Sequence, residues 1–198
     1  MSRAAARRAR GFSLLELVIV VVLVSLLVTL AVDRLVVLKA QAERVAMEQV
    51  IGNIRSGLTI RLAELMARGN LNDAARLAGT NPMLLLAVRP DNYVGELFGP
   101  DPAALEPGHW YFDSRAGALC YLVESVEYFE SALVPPRARF KINLVYEDRN
   151  RNGRYDAESD ALRGMQLAPM EPYVWDTTLA SPDWPWSAPR TARRGGGG

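Results

Sequence analysis

Cysteine and histidine are nearly missing from these 198 residues, which hold one of each, Cys120 and His109. A single cysteine closes no intrachain disulfide in any redox compartment. With one histidine there is also no Cys/His set at metal-ligand spacing. A histidine-based triad would have to use His109, which stands beside Trp110 without a serine or cysteine motif nearby. No glycine-rich phosphate loop is present. An excess of one charge is lacking too, since 23 basic and 22 acidic side chains leave +1. Arg3, Arg7, Arg8 and Arg10 lie ahead of Gly11, and without them the balance is 19 basic to 22 acidic, a net −3. Such a chain has no basic footprint for phosphates, and general nucleic-acid binding is not expected. Together these gaps leave no enzyme constellation.

Charge is scarcest between Phe12 and Val32, 21 residues with Glu16 as the only formally charged side chain. As a helix the run is about 31 Å long, enough to cross the hydrocarbon core of a bilayer. The arginines before it have no acid among them, which holds the short N-terminal end in the cytoplasm and sends the remainder across. A cleaved secretory signal has an apolar core of about 7–15 residues and a small-x-small site. This run is longer, and it ends in Leu30-Ala31-Val32-Asp33-Arg34, without that pattern. A plain signal anchor explains the length but not Glu16, because a carboxylate near mid-membrane costs about 2.5–3.5 kcal/mol.

Gly11-Phe12-Ser13-Leu14-Leu15-Glu16, with its Arg-rich leader and apolar sequel, resembles the type III signal of type IV pilins and type II secretion pseudopilins. The resemblance implies that a prepilin peptidase cuts between Gly11 and Phe12 and methylates the new Phe12 amine. It also implies that Glu16 neutralises the Phe12 amine of a neighbouring subunit. Other pilin or pseudopilin subunits, an inner-membrane assembly platform and membrane lipid would then be partners. The chain would cross the bacterial inner membrane once, head periplasmic, before entering a pilus or pseudopilus. Two features depart from major type IVa pilins, namely a C-terminal disulfide that the lone Cys120 cannot form and a mid-helix proline that is absent near Asp33. The first departure favours a minor pilin or pseudopilin, and the second implies less kinking of the helix there. A tip subunit for adhesion or DNA uptake and a non-polymerising membrane-anchored periplasmic protein are the alternatives.

Beyond Val32, Leu35, Leu38, Ala42, Val45, Met47, Ile51, Ile54, Leu58, Leu62 and Leu65 recur at three- and four-residue steps between charged residues. The spacing predicts an amphipathic continuation of the helix, ending near Arg68-Gly69-Asn70, with its stripe covered by a globular head. Gly52 and Gly57 weaken it locally. Asn72–Gly79 reads as a short capped helix, followed by a wrapped, turn-rich loop through Asn81-Pro82 that anchors Leu84–Leu86. Trp110–Asp113 and Leu119–Val123 read as a hairpin around Ser114–Gly117, with Cys120 a small buried side chain. Phe140, Ile142, Leu144 and Tyr146 alternate as a half-buried strand, for which 161–167 is the partner. The Pro- and Trp-rich stretch with Trp175, Trp184 and Trp186 is expected to lie against the sheet. The expected fold is α+β and, by the resemblance, pilin-like: a long N-terminal helix, membrane-spanning half plus amphipathic half, on a small antiparallel β-sheet. The expected divisions are a leader 1–11, a transmembrane helix 12–32, an amphipathic helix 33–69, a head 70–190 and a disordered tail 191–198.

One loop carries ligand chemistry. Asp148-Arg149-Asn150-Arg151-Asn152-Gly153-Arg154-Tyr155-Asp156 reproduces the calcium spacing D-x-N-x-N-G-x-x-D, with Arg154 offering its backbone carbonyl. Position twelve is Ser159 where a bidentate Glu is expected, and Asp160 is an imperfect substitute. The competing reading is an Asn/Asp/Gly turn that binds nothing. No cofactor is required, and calcium is the one candidate.

Overall fold

The computed structural model describes residues 13–176. The expected leader, the Trp184/Trp186 stretch and the tail lie outside them. The chain divides into two units, Met1–Lys39 and Ala40–Gly198, and helix α1 (Leu14–Ala67) supplies residues to each.

In the first unit every large apolar side chain from Leu14 to Val32 is exposed. Helix satisfies the backbone of such a run internally, which is what an apolar solvent demands. The two hydroxyls within it follow suit: Ser25 Oγ donates to the Val21 carbonyl (2.7 Å) and Thr29 Oγ1 to that of Ser25 (3.0 Å). The helix is long and apolar enough to cross a membrane.

In the second unit, Ala40, Met47, Ile51, Ile54, Leu58 and Leu65 of α1 are buried, steps of three, four or seven that keep one face inward. Leu35 and Leu38 of the first unit and Ala42 and Val45 of the second, all expected in the same stripe, are exposed. Val45 stands two positions from Met47, about 200° away around the helix, so it faces outward. α1 ends in a Schellman motif: the Gly69 N–H donates to the Met66 carbonyl and the Asn70 N–H to that of Leu65, with Gly69 at φ 72°.

The buried helix face packs on a five-stranded sheet in the order β1-β2-β3-β5-β6. Its strands are β1 (Tyr93–Leu97), β2 (Trp110–Asp113), β3 (Ala118–Leu122), β5 (Arg137–Glu147) and β6 (Ala161–Pro169). A separate pair joins β4 (Phe129–Ser131) to β7 (Tyr173–Trp175). Alternation sends Trp110, Phe112, Leu119, Tyr121, Phe140 and Ile142 to the helix side. Tyr111, Ala118 and Cys120 form a second buried cluster with Leu97, Leu105 and Ala116.

The α+β architecture of a long helix on a sheet is as expected, with three corrections. The sheet is mixed, because β1 runs parallel to β2 (Tyr93↔Trp110, Glu96↔Phe112). Leu71–Leu77 is a 3₁₀ helix without a side-chain cap at Asn70. The wrapped loop is anchored by Pro82 and Met83, both buried, whereas Leu84 is exposed. Asn81, itself buried, fixes that loop: its Nδ2 donates to the Tyr93 hydroxyl (2.8 Å) and to Glu96 Oε1 (2.7 Å), while its Oδ1 accepts the Met83 N–H (3.0 Å). Gly57 lets the loop approach, because a Cβ there would sit 2.9 Å from the Leu85 carbonyl oxygen.

Candidate functional site: the N-terminal motif and the 148–160 loop

Gly11 and Phe12 lie outside the described residues. Ser13 precedes the first turn of α1 and is its N-cap: its Oγ accepts the Glu16 N–H (3.1 Å), and its carbonyl accepts the Leu17 N–H (3.1 Å). Glu16 is thereby the third residue of the helix, exposed among Leu14, Leu15, Leu17 and Val18, which are exposed as well. An anionic side chain in the first turn complements the partial positive charge of the helix start. After Glu16, the next ionisable residues in the sequence are Asp33 and Arg34. A lone carboxylate at the mouth of a long, uncovered apolar helix is the chemical signature of the region.

The family described as a prokaryotic N-terminal methylation motif matches residues 6–32. The N-terminal stretch is type IV pilin-like. The match spans Arg7, Arg8, Arg10, Gly11, Phe12, Glu16 and the apolar run, and it implies processing by a prepilin peptidase. Comparison with curated proteins and with solved structures finds no match to this chain.

The second candidate loop joins β5 to β6 at residues 148–160. Asp148 accepts the Asn152 N–H at Oδ1 (3.2 Å) and the Gly153 N–H at Oδ2 (2.8 Å). Asn150 Oδ1 accepts the Asn152 N–H (3.1 Å), and Asn152 Oδ1 accepts the Arg154 N–H (2.8 Å). Both amide nitrogens turn to Asp156 Oδ2, from Asn150 at 2.7 Å and from Asn152 at 2.6 Å. Gly153 supplies the bend, at φ 75°. The expected residues Asp148, Asn150, Asn152 and Asp156 are thus brought together. Arg154 contributes its N–H to the network.

Asp160 is buried and acts as a strap. Its Oδ1 accepts the Arg149 N–H (3.0 Å) and its Oδ2 the Asp156 N–H (2.9 Å). The Asp156 N–H, foremost among these bonds, holds the Asp160 carboxyl below the usual carboxylate range. Among the described residues no group of three or more His, Cys, Asp or Glu is placed to hold a metal ion. The side-chain oxygens of Asp148, Asn150, Asn152 and Asp160 are engaged with the loop's own backbone, and Asp156 Oδ2 with the two amide nitrogens.

Two anchoring residues escaped the sequence reading. Ser13 was legible, since Ser13-Leu14-Leu15-Glu16 has the S-x-x-E spacing of a capping box. Glu43 was not: its Oε1 accepts the Tyr121 hydroxyl (3.0 Å) and the Glu124 N–H (2.7 Å), and its Oε2 the Ser125 N–H (2.8 Å). Nothing local marks a carboxylate whose partners lie about eighty residues away. His109 turns Nδ1 to the Pro107 carbonyl at 3.0 Å, a local contact.

Proposed function

We propose that the chain is a structural subunit, a minor pilin or pseudopilin, of a type IV pilus or type II secretion filament. In this reading the leader 1–11 is removed between Gly11 and Phe12, and the Phe12 amine is methylated. Residues 12–32 cross the inner membrane, and residues 70–190 form a periplasmic head. The observation that carries the reading is the lone Glu16 at the start of an apolar helix of which no residue in the membrane-length window is buried, within the methylation-motif match. Such a surface needs lipid first and neighbouring helices afterwards. Glu16 needs a cation, and the Phe12 amine of a neighbour supplies one at the same depth. An unpaired charge there is penalised, so the pairing fixes register between subunits. The chain is in this account a substrate of the peptidase and then a building block, not an enzyme. The lone cysteine, which closes no intrachain disulfide, supports the minor or pseudopilin role.

The test is Glu16→Ala in the full-length chain. Insertion and cleavage should persist while incorporation into filaments drops severalfold; wild-type incorporation would remove Glu16 from assembly.

Calcium in the 148–160 loop belongs to the same proposal. Asp148, Asn150, Asn152, Asp156 and the Arg154 carbonyl would hold it, with Asp160 as strap. Turning either amide half a turn exchanges nitrogen for oxygen beside Asp156, but it gives up a bond to Asn152 N–H or Arg154 N–H. That competition, with Arg149, Arg151 and Arg154 nearby, sets the expected affinity on the order of 10⁻⁴–10⁻³ M.

A further inference from the structure

Phe98, just past the end of β1, is 79% exposed. A single apolar side chain in the open is ordinary on a protein surface. This one is held in place from both sides. Asp113 Oδ1 accepts three backbone N–H groups, from Gly99 (3.1 Å), Arg115 (3.0 Å) and Ala116 (3.2 Å). Ser114 donates twice to the Leu97 carbonyl, from its N–H (2.9 Å) and from its Oγ (3.1 Å). The neighbours of Phe98 on either side are thereby tied to the turn between β2 and β3. Gly99, at φ 56°, lies so near that turn that a Cβ on it would sit 3.0 Å from Arg115 Cδ. The result is a fixed aromatic knob with an exposed guanidinium beside it, and aromatic rings and Arg are the side chains that interfaces favour. Among the described residues the Arg115 side chain has no ion pair.

The same unit carries a cleft without an occupant. Where the wrapped loop approaches Gly57, a space of about 450 Å³ is walled by Ile60, Leu77, Leu84 and Leu85. The Arg61–Glu64 ion pair (2.8 Å) stands among its walls. Ile60 is 61% and Leu84 60% exposed, so apolar surface there is left uncovered. No aromatic side chain lines the cleft among the described residues, and Phe98 of the same chain is not part of it. A space of this size has room for a phenyl ring. Glu64 gives its Oε2 to Arg61, and among the described residues its Oε1 accepts nothing. That oxygen suits a second cation.

We propose that the Phe98–Arg115 knob of one copy seats in the α1 cleft of a second copy of this chain, with Phe98 between Ile60 and Leu84 and Arg115 on Glu64. The inference rests on the filament reading given above. Knob and cleft are different patches, so the contact is heterologous: each copy gives its knob to one neighbour and receives the knob of another. Such a contact need not close on itself, and repetition builds an open assembly. It joins heads to heads, independently of the apolar helices.

The experiment uses the full-length chain in a host that processes and assembles it, with p-benzoylphenylalanine in place of Phe98. Irradiation should give cross-linked dimers and higher ladders of this chain, with the linked peptide containing Ile60 or Leu84. Phe98→Ala and Leu84→Asp should each lower incorporation into filaments by about tenfold, the loss that truncating an interface anchor brings. The melting temperature of the head should stay unchanged in both, because both side chains are largely exposed. Arg115→Glu and Glu64→Lys should each lower incorporation severalfold, and combining them should restore most of it. Cross-links to another protein, or to a second copy away from the cleft, would overturn the interface and leave the filament reading intact. Failure of the charge exchange to restore incorporation would do the same. Absence of the wild-type chain from filaments would overturn the filament reading and the interface with it.

Discussion

Burial pushes the Cys120 thiol up to about 11, above an ordinary value of 9.0, although the neighbouring Tyr111 hydroxyl draws it down. Burial raises the Tyr111 and Tyr121 hydroxyls as well, with Glu43 adding to the second. Each of these groups is neutral when protonated, and the folded state holds its proton more tightly than the unfolded one. Their contribution is therefore fully present below about pH 9 and lost as pH rises toward 11 and beyond. The expected outcome is a denaturation midpoint that is flat with respect to these groups from pH 7 to 9 and falls from pH 9 to 11. A thiol reagent at pH 8 should label native Cys120 far more slowly than the unfolded chain. Rapid native labelling would contradict the buried environment. Asp160 acts at the other end of the scale: its lowered carboxyl contributes stability above the ordinary carboxylate range, lost as pH falls through it.

At the scale of elements, the two glycines inside α1 have opposite meanings. A Cβ at Gly57 would meet the Leu85 carbonyl at 2.9 Å, whereas one at Gly52 meets nothing within 4 Å. Gly57→Ala should therefore destabilise the head by roughly 1–3 kcal/mol through forced displacement of the loop. Gly52→Ala should stabilise it by about 0.5–1 kcal/mol through helix propensity. Urea denaturation of the two variants measures both, and equal effects would contradict the close approach. Sequence alone showed two weak points in a helix and could not tell them apart, since the difference lies in a segment almost thirty residues away. The inner stripe from Met47 to Leu65 was legible because one face alternates with charge there. Its phase before Met47 was not, because Leu35, Val36, Val37, Leu38 and Val45 put apolar side chains on more than one face there. β1 was hidden by the turn residues Pro90-Asp91-Asn92 and by Gly95, and β7 by the prolines and tryptophans around it; both are short strands fixed by distant partners. The 148–160 loop was legible as a constellation but ambiguous in chemistry, because Asp and Asn at alternate positions serve Asx turns and cation ligation equally. Millimolar calcium should raise the melting temperature of the wild-type chain and leave Asp148→Ala unmoved. An unmoved wild type would reduce the loop to a turn.

Across the whole molecule, two kinds of order share one helix element. From Leu14 to Val32 the side chains are exposed to whatever surrounds them, and in the second unit a face of the same element closes a core of Trp110, Phe112, Leu119, Tyr121 and Phe140. The first part has no stable home in water, and the second needs none beyond its sheet. A chain so divided fits membrane anchoring, and the methylation motif at residues 6–32 implies processing by a prepilin peptidase. The N-terminal motif was readable in the sequence because its residue types, spacing and leader charge are local.

The most direct measurement is the intact mass and N-terminal sequence of the protein recovered from cells with and without a prepilin peptidase. The account predicts a chain beginning at methylated Phe12 only when the peptidase is present, and an uncleaved leader when it is not. A leader retained through Gly11 in both strains would contradict the account and leave a membrane-anchored head with an unexplained carboxylate at Glu16.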